Sequence, residues 1–73
     1  MPLAQDRLWR VRRRHDHFDA VLSLEASGAQ WDLTYLRNDV PFLIWRYADR
    51  DSAIAEAAAR LEELVRAGWT SHW

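Results

Sequence analysis

Three arginines alternate along one short segment near the start of the chain. Arg10, Arg12 and Arg14 are each separated by a single residue. Because alternate side chains of a β-strand point to the same face, these guanidinium groups would form a row with a spacing of about 6.6–6.8 Å. Arginine binds phosphate groups and the edge of guanine through two parallel hydrogen bonds. The segment is therefore a candidate nucleic-acid surface, and Arg46 on a later predicted strand could join it.

The charge balance of the chain weakens this nucleic-acid interpretation. The formal net charge is −1, and residues 7–14 hold five of the ten basic residues but none of the eleven acidic ones. Asp19, Glu25 and Asp32 are expected on neighbouring strands, and the predicted register places Asp19 directly opposite Arg14. The arginine row is then an ion-paired face in contact with water, and DNA binding is kept as the alternative function.

A second group of residues, close to the first predicted turn, could bind a metal ion. His15, Asp16, His17 and Asp19 offer nitrogen and oxygen ligands at close spacing. Zinc sites usually combine ligand pairs that are farther apart in the chain. Aspartate is also common in polar turns, where it hydrogen-bonds to nearby backbone groups. We therefore predict a polar hairpin loop and no metal site.

Catalytic chemistry has little support in the sequence. There is no cysteine, no serine beside a convincing base, and no glycine-rich loop. A single sheet with one helix rarely encloses the roughly 300–1,000 Å³ that a small ligand needs. We therefore predict a non-enzymatic protein that uses no cofactor.

Alternation of apolar and polar residues predicts the strands that position these groups. Glycine, asparagine, aspartate and proline mark the turns between them. The predicted strands lie at about 7–14, 19–26, 30–37 and 42–47. Every connection is short, so the strands should form an antiparallel meander. At this length, residues 1–73 make one domain.

After the fourth strand, the spacing of apolar residues becomes helical. Asp49 is a candidate N-cap, and Gly68 fits the left-handed position that ends a helix. A helix is therefore predicted at about 50–67, followed by a tail at 70–73 that frays unless Trp73 docks. The predicted fold class is α+β, with a four-stranded antiparallel meander and one C-terminal helix packed on one face.

Two predicted hairpin registers agree in placing apolar residues opposite one another. If "HDHF" is the first loop, Trp9 faces Leu24 and Val11 faces Leu22. If Ser27-Gly28 is the second loop, Leu22 also faces Leu33. A slip of one residue would move every apolar side chain to the wrong face.

The fourth strand could bury either of its two faces. We favour Leu43, Trp45 and Tyr47 toward the helix because this set buries more aromatic surface. The other face of the sheet then stays open and carries an apolar patch with an arginine rim, a combination that is typical of interfaces. The patch comprises Val21, Leu36, Phe42 and Ile44, and the rim comprises Arg12 and Arg46.

The order of these elements resembles a group of small uncharacterised bacterial proteins with a βββ(β)α layout. The matching segments are "LWRV", "QWDL", "RYADRDSAIAEA" and "LVRAGW", the last ending an alanine-rich helix with a Gly-Trp motif. This resemblance implies a fold and no activity. The layout is also similar to small DNA-binding domains of some phage integrases and plant AP2 factors, which read DNA with the sheet.

These observations lead to one expected function and one alternative. We expect a non-enzymatic interaction module that uses the open sheet face to bind a protein partner or a second copy as a homodimer. The alternative is a DNA-binding module that uses the arginines of the first strand. The longest apolar run is far shorter than the ~20 residues of a membrane span, so a cytoplasmic bacterial protein is expected.

Overall fold

The chain forms one antiparallel sheet with a helix across one of its faces. The computed structural model describes residues 5–71. The elements are β1 (Gln5–Arg13), β2 (Asp16–Leu24), β3 (Trp31–Arg37), β4 (Val40–Tyr47), α1 (Arg50–Arg66) and β5 (Thr70–Ser71). The strand order is β4-β3-β2-β1-β5, and α1 packs against the sheet. The predicted α+β class is thereby confirmed.

The first hairpin differs from the predicted register by four residues along β2. Trp9 pairs with Ala20, and Val11 pairs with Phe18. The last three residues of the segment "HDHF" lie within β2, and the turn is made by Arg14-His15, where Arg14 has a φ of +58°. Arginine is an unusual residue for this left-handed conformation, so no turn signal marked the position. Because the shift is even, each strand keeps its predicted faces.

The other two hairpins follow their turn residues. Leu22 pairs with Leu33 as predicted. Asn38 and Asp39 both have positive φ, the pattern of a two-residue type I′ loop whose twist matches the flanking strands. The Asn38 side chain also accepts a hydrogen bond from the His17 backbone at 2.9 Å. It thereby joins the β3–β4 turn to the start of β2.

Helix α1 lies close to the sheet because the residues that face it are small. Ala53 and Ala57 are buried, and the Trp9 indole donates a hydrogen bond to the Ala57 carbonyl at 2.9 Å. At the N-terminus, the Asp49 side chain accepts a hydrogen bond from the Ser52 backbone at 2.7 Å. The predicted N-cap is therefore present, and it satisfies a backbone donor that the helix leaves free.

The C-terminal end of α1 returns the chain to the sheet. Gly68 has a φ of +100°, and the Trp69 backbone donates to the Leu64 carbonyl at 3.0 Å. This hydrogen bond is characteristic of a Schellman motif. The Trp69 side chain is buried and packs edge-to-face on Phe18, with ring centroids 5.6 Å apart.

The first two residues of the predicted tail pair with the sheet. Thr70 and Ser71 pair with Arg12 and Val11 as the short strand β5. The docked Trp69 side chain places them beside β1, and this explains their order. Trp73 lies outside the described residues. Among residues 5–71, no helix has the length and apolar character needed to cross a membrane.

Candidate interaction surface

Strand β4 forms one edge of the sheet and is exposed along nearly its whole length. It pairs with β3 on one side, and no strand among the described residues lies on its other side. Helix α1 contacts β4 as well as the other strands, but it buries no residue of β4. Five large apolar side chains of this strand are exposed: Val40, Phe42, Leu43, Ile44 and Trp45.

A bulge in β4 turns one of these side chains away from its predicted face. Tyr35 pairs with Leu43 and Leu36 pairs with Pro41, so Phe42 is an extra residue in the ladder. Its ring packs edge-to-face on Phe18, with centroids 5.1 Å apart. The prediction of Phe42 on the open face is therefore wrong, since strict alternation cannot anticipate a bulge.

A shallow groove runs along the helix side of β4. Arg60 of α1 and Trp45 of β4 both form part of its wall. Beside it, the buried Tyr35 hydroxyl makes no hydrogen bond of ordinary geometry within the described residues. Burial raises the pKa of this hydroxyl, and the neighbouring Arg60 partly offsets the change. The groove has a volume of about 260 Å³, and its lining residues are Phe18, Tyr35, Phe42, Leu43, Trp45 and Arg60.

The open face is largely occupied by ion pairs. The Arg10 guanidinium donates two hydrogen bonds of 2.7 Å to the two oxygens of Asp19, whose side chain is only 4% exposed. The hydrogen bonds from Arg10 hold the pKa of the Asp19 carboxyl below its usual value. Arg46 makes a second pair, of 2.9 Å, with Asp32 on β3. Charge on this face is therefore mostly neutralised within the chain.

The arginine row in the structure is shorter than the row predicted from the sequence. Arg10 lies opposite Asp19, whereas Arg14 belongs to the turn after β1 and has no place in the row. The predicted pairing of Arg14 with Asp19 is therefore wrong, because the turn comes earlier than the predicted loop. Arg12 is exposed opposite His17, and it makes no ion pair among residues 5–71.

The apolar part of the open face is a narrow strip. Val21, Thr34 and Ile44 lie opposite one another on β2, β3 and β4, and Leu36 lies opposite Pro41. Val21 and Leu36 are half-buried, whereas Ile44 is exposed. Three of the four predicted patch residues thus share this face, and only Ile44 offers a large free surface.

Three potential metal ligands meet at one end of this face. His17, Asp19 and Asp39 place ligand atoms within 4.8 Å of one another. However, both Asp19 oxygens accept hydrogen bonds from Arg10, and Arg7 Nε lies 3.8 Å from one of them. Guanidinium groups therefore already supply the positive charge. Asp39 was not among the predicted ligands, because only the β3–β4 turn brings it here.

Comparisons with known proteins do not assign this surface. No family model matches the chain, and no curated protein or solved structure shows significant similarity to it. The resemblance to small bacterial βββ(β)α proteins stays a prediction from the sequence. Function has to be inferred from the chemistry of the exposed surfaces.

Proposed function

We propose that this chain is a small non-enzymatic protein-interaction module that binds a protein strand along the free edge of β4. The observation that carries the proposal is the exposure of five large apolar side chains on an edge strand whose outer side pairs with no strand within residues 5–71. Unpaired backbone groups at a sheet edge bind an added strand by hydrogen bonds, and flanking side chains give specificity. A location in the bacterial cytoplasm belongs to the same proposal.

The opposite edge of the sheet, at β1 and β5, is better protected than the edge at β4. There β5 pairs with Val11 and Arg12, and the Arg13 guanidinium lies 4.7 Å from the centre of the Trp69 ring. Charged residues and short covering strands are the usual means by which proteins protect a sheet edge. On β4, Pro41 and the bulge at Phe42 protect only the start of the strand, and the one charged residue, Arg46, is paired with Asp32. The β4 edge is thus the less protected of the two.

The interaction function expected from the sequence is retained, but the proposed binding element is now the edge of β4 and not the open face. The open face was expected to bind through Val21, Leu36, Phe42 and Ile44. Because Phe42 lies on the helix side and ion pairs occupy much of the open face, the edge of β4 is the better supported element. Ile44 lies on the open face and also on the edge strand β4.

A pair of lysine substitutions tests whether β4 is the binding element. We expect Trp45→Lys to abolish capture of a binding partner, because it places a charge in the middle of the apolar edge. Val65→Lys is the matched control, since Val65 is also an exposed apolar residue but lies on α1. Both variants should retain the circular dichroism spectrum of the parent chain.

The measurement is affinity capture from the native cells with quantitative mass spectrometry. Proteins that are lost with Trp45→Lys and retained with Val65→Lys would support the proposal. Equal recovery of the same proteins with both variants would contradict it, because a site on β4 cannot be indifferent to a buried charge.

DNA binding is the alternative, and the ion pairs argue against it. Arg10 and Arg46 would have to leave Asp19 and Asp32 before they could contact phosphate. We expect no salt-dependent binding of a fluorescein-labelled mixed-sequence duplex at low ionic strength, measured by anisotropy. Binding that falls steeply with salt and disappears in Arg12→Ala would instead favour the DNA-binding function.

A further inference from the structure

We infer that the strand bound by β4 is the β4 of a second copy, paired antiparallel about a two-fold axis at Ile44. This inference rests on the proposed function, and it names the partner. Closed two-fold pairs are the commonest form of protein assembly. Two copies joined in this way would share one continuous sheet, with both α1 helices on the same side.

The ends of the free edge limit where the pairing can be centred. Pro41 has no backbone N–H to donate, so it limits the ladder on one side. Strand β4 ends at Tyr47 on the other side. Phe42 is the extra residue of the bulge, so the regular part of the free edge is 43–47. An axis at Ile44 pairs only apolar residues within 43–45, whereas an axis at Trp45 would set Arg46 opposite Ile44. We therefore place the axis at Ile44.

This register places apolar side chains opposite one another on both faces. On the open face, Ile44 would lie opposite Ile44 of the second copy. On the helix side, Leu43 would lie opposite Trp45 of the second copy, and this contact would occur twice. Direct cross-strand pairs of large apolar residues stabilise a sheet. The two helix-side grooves would then join across the axis.

The charges of the edge are compatible with this arrangement. Arg46 is hydrogen-bonded to Asp32 on β3, on the side away from the free edge. In the proposed register the two Arg46 residues are four positions apart along the strands, or about 13–14 Å. That separation exceeds the screening length of about 8 Å at physiological salt, so repulsion between them is small.

The available apolar surface suits a reversible dimer. Phe42, Leu43, Ile44 and Trp45 lie at or beside the paired residues and are between 40% and 59% exposed. A large aromatic side chain buries about 150–250 Å² in total, so these four residues offer roughly 400 Å² per copy. Two copies then bury at most roughly 800 Å² of side-chain surface before the backbone is counted, an area typical of weak, transient interfaces. Association should therefore depend on concentration.

Single cysteine substitutions test the register directly, because the chain has no cysteine of its own. Under mild oxidation, Ile44→Cys should form a disulfide-linked dimer. Leu43→Cys and Trp45→Cys should each crosslink poorly alone and well when mixed, since they lie opposite each other. Directly opposed Cβ atoms are about 4.5–5.5 Å apart and diagonal ones about 7–8 Å. Val65→Cys on α1 is the matched control.

Sedimentation equilibrium tests the association without a crosslink. The average mass of the parent chain should rise with concentration from the monomer mass of 8.6 kDa toward twice that value. Ile44→Lys should remain monomeric at every concentration, with an unchanged circular dichroism spectrum. Ile44 is exposed in the single chain, so its replacement should not disturb the fold.

The outcomes separate this inference from the proposed function. A parent chain that stays monomeric at all concentrations would overturn self-pairing, whereas a partner lost with Trp45→Lys would still support a binding edge. Fastest crosslinking of Leu43→Cys with itself would overturn the axis at Ile44. A monomer whose captured proteins are unaffected by Trp45→Lys would overturn both.

Discussion

Trp9→Ala is expected to remove about 3–5 kcal/mol of unfolding free energy, the usual cost of truncating a buried tryptophan. Trp9 is 3% exposed, and its ring packs against Tyr35 with centroids 6.1 Å apart. A domain of this length is stable by roughly 4–11 kcal/mol. The substitution therefore removes a large share of the total, and urea unfolding followed by circular dichroism measures it.

Two other variants separate the causes of this loss. Trp9→Phe keeps most of the apolar volume but removes the hydrogen bond to the Ala57 carbonyl, so a smaller loss of about 1–2 kcal/mol is expected. Trp45→Ala is the matched control, because Trp45 is 53% exposed and its truncation should cost only about 2 kcal/mol. Equal destabilisation by Trp9→Ala and Trp45→Ala would show that the core is not centred on Trp9.

Asp19→Asn is expected to cost about 2–3 kcal/mol at neutral pH. The substitution removes the carboxylate charge and one of the two oxygens that bind Arg10, whose side chain is itself only 25% exposed. Asparagine has nearly the same size, so the loss reports charge and hydrogen bonding rather than packing. Urea unfolding of both chains gives the difference.

The same carboxylate predicts how stability depends on pH. The pKa of Asp19 is lowered in the folded chain by its hydrogen bonds from Arg10, whereas the unfolded value is about 3.9. The folded state therefore binds this proton less readily, and the stabilisation is complete above the unfolded pKa. It is lost as the pH falls from about 4 through the lower folded pKa.

The difference between the parent chain and Asp19→Asn should therefore shrink below about pH 4. Asp16→Asn is a useful control, because its pKa is also lowered, chiefly by the Asn38 hydrogen bond, but the group lies on the surface. A constant difference between the parent chain and Asp19→Asn across this pH range would contradict the assigned ion pair.

The elements and their faces could be predicted because a register shift by an even number of residues leaves the alternation of apolar and polar side chains on the same faces. Trp9 and Val11 face the helix, as predicted, although their partners on β2 lie four residues from those expected. Fixing the register requires the turn, and Arg14 carries no residue signal for its left-handed conformation. Caps were easier to predict, because Asp49 and Gly68 are residues whose chemistry specifies their positions.

The candidate site was only partly predictable. In a meander the last strand lies at the edge, so the free edge of β4 follows from the predicted strand order. The direction of Phe42 does not, because the bulge depends on how β4 fits β3 beyond Tyr35. The burial of Asp19 was also missed, since it depends on the true partner on β1, Arg10.

The short strand β5 limits how far such molecules can assemble. Within residues 5–71, it pairs with Val11 and Arg12 on the outer side of β1, whereas no strand pairs with the outer side of β4. Molecules with two free sheet edges could each bind a neighbour on both sides and so assemble into a fibre. In the inferred dimer, one pairing would use the free edge of both copies, so growth would end at two molecules. The C-terminal strand β5 would thus prevent further polymerisation.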